Sequence, residues 1–126
     1  MLASAHAGEA EWKLLSDRVV PQLTRGELEP AERSARGALA EARKTFGDNH
    51  RNTETSLANL ALALRFRGKH EEAEKYYRDA LAMREKRLGP DHPSTALLLG
   101  NLAEAIQAQG RYAEAEKLER RVLPIF

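Results

Sequence analysis

Residues 57–75 read LANLALALRFRGKHEEAEK, and residues 99–117 read LGNLAEAIQAQGRYAEAEK. The two stretches lie 42 positions apart and belong to a longer correspondence. Residues 46–84 align with residues 88–126 without a gap and are identical at 15 positions. Self-similarity at a period of roughly 20 to 50 residues is the signature of a repeat protein whose units stack on one another. The sequence therefore predicts two copies of one structural unit.

A fainter third copy precedes these two. Gly26 lies one period before Gly68, and the second half of the unit keeps further identities. The first half has lost most of them. Pro21 stands inside its helical pattern, where a proline is expected to kink or shorten the helix. The sequence therefore predicts three units, the first of which has a divergent leading helix.

The three units account for most of the chain. They cover about residues 9–46, 51–88 and 93–126, which together form one domain. Residues 1–8 lack the charged and apolar regions of a secretory signal, so they predict a disordered tail or one added by cloning. Their small side chains leave open an exported parent protein, but we expect a cytoplasmic one.

Each unit has the pattern of two helices. In the second unit, Leu57, Leu60 and Leu64 recur at helical spacing. This series ends at Gly68, which can adopt the left-handed conformation that terminates a helix. A second amphipathic stretch follows at once and contains Ala73, a small residue that permits close helix contact. Each unit is therefore predicted to be a helix pair.

The linker between the second and third units, residues 88–93, reads LGPDHP. Its last residue, Pro93, suits the first position of a helix, where a missing N–H has no cost. Three residues are candidates for the cap of that helix, namely Asp91, His92 and Ser94. The sequence does not decide among them.

These motifs resemble the tetratricopeptide repeat. The resemblance rests on LxxLAxxL at 57–64, GKHxxA at 68–73 and AL at 80–81, and it is strongest over residues 46–123. The 42-residue period and the linker are similar to the longer subtype found in kinesin light chains. The resemblance implies an all-α fold, a right-handed α-α superhelix of three antiparallel helix pairs.

In this family the first helices line a concave groove that binds extended peptides or partner helices. Carried over residue by residue, the groove positions are Thr55, Ala58, Asn59, Leu62, Arg65 and Phe66, and then Leu97, Gly100, Asn101, Glu104, Gln107 and Ala108. Asn59 and Asn101 stand where family members often use an asparagine to hold a ligand backbone. An amide suits this task because it offers both donors and an acceptor.

The first unit departs from the family pattern. Asp17 stands at the asparagine position, and a carboxylate accepts hydrogen bonds but cannot donate them. Lys13, Ser16 and Val20 are the other groove positions of this unit. We expect these four residues to contribute less to ligand binding.

Composition argues against catalysis, a metal site and nucleic-acid binding. The chain has no cysteine, and its four histidines lack the close spacing of a metal pair. The 20 basic and 19 acidic side chains are interleaved, and the basic clusters at 65–69 and 84–87 are interpreted as solvated helix ends. No apolar run is long enough to cross a bilayer. We predict a non-enzymatic module without cofactor, metal, membrane or nucleic-acid partner.

The predicted function is therefore binding of another protein or peptide. Two alternatives stay open: a structural segment that stacks with copies of itself, and a regulatory sensor domain of a longer protein. An apolar stripe on the last helix and just beyond it is formed by Leu118, Val122, Leu123, Ile125 and Phe126. Such a stripe predicts further repeats or a homodimer through this helix.

Overall fold

The computed structural model describes residues 2–125, with side chains from residue 6 onward, as six α-helices followed by one turn of 3-10 helix. The helices are α1 (Leu2–Thr24), α2 (Leu28–Phe46), α3 (Arg51–Phe66), α4 (His70–Leu88), α5 (Pro93–Gln107) and α6 (Tyr112–Val122). Each helix packs against the next along the chain. The described residues thus form an all-α solenoid of three antiparallel helix pairs, as the sequence predicts.

The first helix differs from the prediction at both of its ends. α1 begins at Leu2, so residues 2–8 are helical and the expectation of a disordered tail is wrong for them; Met1 lies outside the described residues. Gly8 is buried against α2, where an added Cβ would overlap Oγ1 of Thr45. Pro21 does not shorten the helix. α1 ends at Thr24, which is the position equivalent to Phe66, the last residue of α3.

The turn inside a helix pair depends on a glycine. Gly68 has a φ of 77°, in the left-handed region that favours glycine. This conformation lets the N–H of Lys69 donate to the carbonyl of Leu64 at 2.9 Å, which satisfies one of the last carbonyls of α3. α4 then begins at His70, directly after the turn.

Histidines cap the first helices of the second and third pairs. Nδ1 of His92 accepts from the backbone N–H of Ser94 at 3.0 Å, so His92 is the cap among the three candidates. His50 caps α3 in the same way through the N–H of Asn52. Both histidines therefore act as structural helix caps.

The core runs continuously from Val19 in α1 to Ala115 in α6. Small residues such as Ala73 are fully buried where the two helices of a pair meet. Tyr77 is also fully buried. Its hydroxyl has no hydrogen-bond partner among the described residues.

The C-terminal apolar stripe is less exposed than the sequence predicts. Leu118, Val122 and Ile125 are partly buried and pack against the core. Leu123 is the exception, with 76% of its surface exposed. Phe126 lies outside the described residues.

Candidate functional site

The first helices of the three pairs lie side by side. Nε1 of Trp12 in α1 donates to Oγ of Ser56 in α3 at 2.7 Å. Arg65 of α3 forms an ion pair with Glu104 of α5. We call the exposed sides of these helices the inner face, which comprises the predicted groove residues of α3 and α5 and the four equivalent residues of α1.

None of the predicted groove residues is buried in the core. Thr55, Phe66, Leu97, Glu104, Gln107 and Ala108 are exposed, and Ala58, Asn59, Leu62, Arg65, Gly100 and Asn101 are half-buried. On α1, Lys13, Asp17 and Val20 are exposed and Ser16 is half-buried, so accessible residues line the first helix of all three pairs.

The two asparagines of the inner face have unused hydrogen-bonding capacity. Neither Asn59 nor Asn101 forms a side-chain hydrogen bond with any residue in the part of the chain that the structure describes. Both are half-buried, so the neighbouring side chains restrict them while their amides stay within reach of a bound molecule. An unoccupied amide in this position can hold the N–H or the carbonyl of a ligand backbone.

Exposed apolar side chains flank these amides. Val20, Phe66 and Leu97 are 54%, 52% and 62% exposed, and each belongs to a different first helix. Phe66 lies at the end of α3 and Leu97 near the start of α5, so these side chains are distributed along the surface. The inner face therefore offers both apolar contact and hydrogen bonds to a ligand.

The charges of the inner face are paired within the chain. Besides the Arg65–Glu104 pair, Lys13 and Asp17 of α1 lie 3.1 Å apart. The guanidinium of Arg65 also lies 5.7 Å from the ring centroid of Phe66, within the range of a cation–π contact. A charged ligand would have to compete with these pairs.

Tyr77 of α4 lies in the core and not on the inner face. Burial raises the pKa of its hydroxyl to about 12, with smaller and opposing effects from Arg65 and Glu104. Tyr77 belongs to the same core cluster as Leu64 of α3 and Leu102 of α5. Tyr77 thus supports the inner face without being accessible.

The second helices of the pairs are joined by a repeated set of ion pairs, which the sequence interpretation missed. Arg36 of α2 binds Glu72 of α4, and Arg78 of α4 binds Glu114 of α6, each at 2.8 Å. These two pairs are 42 positions apart. Each of them connects one helix pair to the next.

At each junction between helix pairs, one carboxylate accepts hydrogen bonds from several side chains. Glu32 is 7% exposed and accepts from Arg36, Arg67 and Lys69 at 2.8 to 3.1 Å. Burial raises the pKa of Glu32, but hydrogen bonds from these three residues outweigh it and lower the pKa to about 2. The basic cluster at 65–69 is therefore not simply solvated, because two of its members bind Glu32.

Glu74 repeats this arrangement one period later. It accepts from Arg111 at 2.6 Å and from Gln109 at 2.9 Å, in addition to its bond with Arg78. Burial raises the pKa of Glu74, and these hydrogen bonds together lower it below its usual range. We call the set Glu32, Arg36, Lys69, Glu72, Glu74, Arg78, Arg111 and Glu114 the outer row. Its 42-residue spacing is the signal by which sequence analysis can find it.

A further buried carboxylate lies at the start of α3. Glu54 is 1% exposed and accepts from Arg84 at 3.1 Å and from Arg87 at 2.6 Å. The basic cluster at 84–87 was interpreted as a solvated helix end, and this is wrong for these two arginines. Trp12 and Ala96 occupy the equivalent positions, so no repeated pattern marks this site.

The described residues contain no group of three or more His, Cys, Asp or Glu side chains arranged to hold a metal ion. Within residues 2–125, every helix is too short or too polar to cross a membrane.

Together, the stacked helix pairs and their accessible inner face define a helical repeat protein. The family model of the tetratricopeptide repeat matches residues 23–86 and again 68–126. The chain therefore belongs to the tetratricopeptide repeat family, whose members are generally protein-interaction modules and typically have no catalytic activity.

A solved structure from Podosopora anserina, described as a kinesin light chain with nearly identical TPR-like repeats, is similar to this chain with a TM-score of 0.76 and 26% sequence identity. The match covers 90% of this chain and 54% of that one, so the chain spans about half the length of that structure. A comparison with curated proteins gives no match.

Proposed function

We propose that the chain is a non-catalytic interaction module that binds a peptide or a partner helix along its inner face. The observation that carries the proposal is the pair of unoccupied amides, Asn59 and Asn101, on neighbouring first helices. Repeat proteins commonly use such extended inner surfaces for binding. The family assignment agrees with this class of function, but it does not identify a partner.

The surroundings of these amides suggest how a ligand is held. The asparagines bind the ligand backbone, while Leu62, Phe66 and Leu97 contact its apolar side chains. Because Arg65 and Glu104 neutralise each other, a strongly charged ligand gains little from this surface. We therefore expect a predominantly apolar segment with its backbone exposed, either an extended peptide or one face of a helix.

The remaining groove candidates have smaller roles in this proposal. The hydroxyl of Thr55 donates to the carbonyl of Arg51 at 3.0 Å and is less available to a ligand. Gln107 is exposed and is expected to contact the ligand at the edge of the surface. A cytoplasmic location and the absence of a nucleic-acid partner stay predictions, supported by the lack of cysteine and by the interleaved charge.

The test begins with a ligand selected from a displayed peptide library on the wild-type chain. Replacing both Asn59 and Asn101 by alanine removes two hydrogen bonds of roughly 1 kcal/mol each, so we expect the selected peptide to bind about 10- to 100-fold more weakly. Isothermal titration calorimetry measures this affinity.

The matched control is Asn49→Ala, which removes an exposed asparagine from the linker before α3. This variant should bind the peptide as the wild type does. The double variant should keep its helical circular dichroism and its unfolding midpoint, because neither amide bonds to another described residue. Unchanged affinity in the double variant would show that the ligand lies elsewhere.

A further inference from the structure

The two ends of the solenoid carry opposite charges at corresponding positions. On the exposed side of α6, Glu119 stands one period after Tyr77, a residue that is fully buried in α4. On the exposed side of α1, Arg18 stands one period before Leu60 and two before Leu102, which are both fully buried. Each end has thus replaced a core residue by a charged one, and the two charges are opposite.

Apolar side chains accompany these charges. Leu123 is 76% exposed, whereas its equivalent Leu81 is 8% exposed and belongs to the core. Leu14 is 49% exposed, whereas its equivalent Leu98 in α5 is 2% exposed. A depression of about 500 Å³ lies between α5 and α6, and Glu119 and Leu123 form part of its wall. At both ends, the surface that packs against a neighbouring pair inside the chain is open.

The contact of α4 with α5 shows how two such surfaces meet. Tyr77 of α4 and Leu102 of α5 belong to the same continuous core. When α6 of one copy packs on α1 of another as α4 packs on α5, Glu119 takes the place of Tyr77 and Arg18 takes the place of Leu102. We propose that a second copy of this chain docks head to tail in this way, with Glu119 paired to Arg18 and Leu123 near Leu14.

This contact joins two different surfaces, so a third copy can add to the second and the assembly stays open. A symmetric dimer through the last helix, which the apolar stripe alone also permits, would bring Glu119 towards Glu119 of the other copy. Like charges in a contact are unfavourable, which favours the head-to-tail arrangement. The inference is independent of peptide binding by the inner face.

At one edge of the proposed contact, an attractive charge and a repulsive charge offset each other. Inside the chain, Arg67 and Lys69 bind Glu32, and their equivalents in the first unit are Arg25 and Glu27. Head-to-tail docking brings both towards Glu116, the equivalent of Glu32, with one attractive and one repulsive charge. Replacing Glu27 by lysine restores the charge found at the internal junctions, so this variant should tighten the assembly.

Sedimentation velocity over a range of protein concentrations tests the proposal. For the wild type, the mean sedimentation coefficient should rise with concentration without stopping at a dimer. Glu119→Lys and Arg18→Glu should each weaken this association about tenfold or more, because each places like charges in the contact. An equimolar mixture of the two variants should associate again, because the lysine introduced in one chain then meets the glutamate introduced in the other.

Two control measurements accompany this experiment. Glu71→Lys makes the same charge change at an exposed position of α4 and should associate as the wild type does. Circular dichroism should show unchanged helicity in every variant, since Arg18 and Glu119 are exposed in a single copy. Three results would overturn the proposal: a wild type that is monomeric at all concentrations, a normal Arg18→Glu variant, and a mixture that does not associate.

Discussion

The outer row and the inner face use their polar groups in opposite ways. In the outer row, Glu32 and Glu74 each accept hydrogen bonds from three residues, and each connects one helix pair to the next. On the inner face, the amides of Asn59 and Asn101 bond to no residue in the described part of the chain, and apolar side chains beside them are exposed. Polar groups at the outer row hold the stack together, and those at the inner face are available to a ligand.

This difference suggests that stability and binding can be changed separately. Substitutions in the outer row should lower the free energy of unfolding and leave peptide affinity unchanged, apart from loss of folded protein. Substitutions of the inner-face amides should do the reverse.

The largest loss of stability is expected at Glu54. This residue tests whether burial decides the effect of a substitution, or whether the helix that carries the residue does. It belongs to a first helix, yet it is buried and binds two arginines of α4. Glu54→Gln removes the charge and leaves both arginines without their partner, so we expect a loss of about 3 kcal/mol in unfolding free energy. Urea titration followed by circular dichroism measures the loss.

The control for Glu54 is Glu71→Gln, an exposed glutamate without a side-chain hydrogen bond among the described residues. It should change stability by less than about 0.5 kcal/mol. A Glu54→Gln variant as stable as this control would mean that the buried ion pairs add nothing to the fold.

An intermediate effect, dependent on pH, is expected at Glu32. The pKa of Glu32 is about 2 in the folded protein, against an ordinary value of 4.5. A lowered folded-state pKa stabilises the fold above the unfolded pKa, and this contribution disappears as the pH falls towards 2. We expect Glu32→Gln to lower stability by roughly 1–3 kcal/mol at neutral pH and by only a small amount near pH 2.

Glu116→Gln is the matched control for Glu32, since it lies at the equivalent position of the third pair but its side chain is 60% exposed. Urea titrations of the wild type and both variants at several pH values separate Glu32 from the other carboxylates. A stability difference between wild type and Glu32→Gln that stays constant down to pH 2 would contradict the assigned role.

The smallest effect is expected at Glu104, whose side chain is 61% exposed in its ion pair with Arg65. Exposed pairs of this kind contribute about 0.2–1 kcal/mol. Glu104→Gln should therefore lower the unfolding midpoint only slightly in thermal denaturation. A loss of stability as large as that of Glu54→Gln would mean that the ion pair on the inner face stabilises the fold as much as the buried ion pairs do.

The repeat made much of this structure predictable. Identities 42 positions apart, with glycines such as Gly68 between apolar series, predict the helix pairs and the all-α fold, which are confirmed. The choice of His92 as the cap over Asp91 and Ser94 was not predictable, because it depends on the direction of one ring nitrogen. Glu54 was hidden for another reason: its partners lie 30 and 33 residues away and do not recur in the other units.

The helical state of residues 2–8 was also missed. Local sequence there is rich in small residues, and only the packing of Gly8 on α2 shows what holds the segment in place. The inner-face residues depend on the family resemblance, and their ligand contacts stay predictions. Sequence alone identifies the surface by analogy, and the structure adds which of its polar groups are unoccupied.

α6 buries fewer residues than the other helices, which affects local opening of the chain. Ala115 is the one buried residue of this helix within the described chain, whereas α2 has seven buried residues. Local opening requires less free energy where fewer apolar contacts must be broken. Amide protons of α6 should therefore exchange with solvent well before those of α2, so that the solenoid loosens from this end and its middle pair is the last to open.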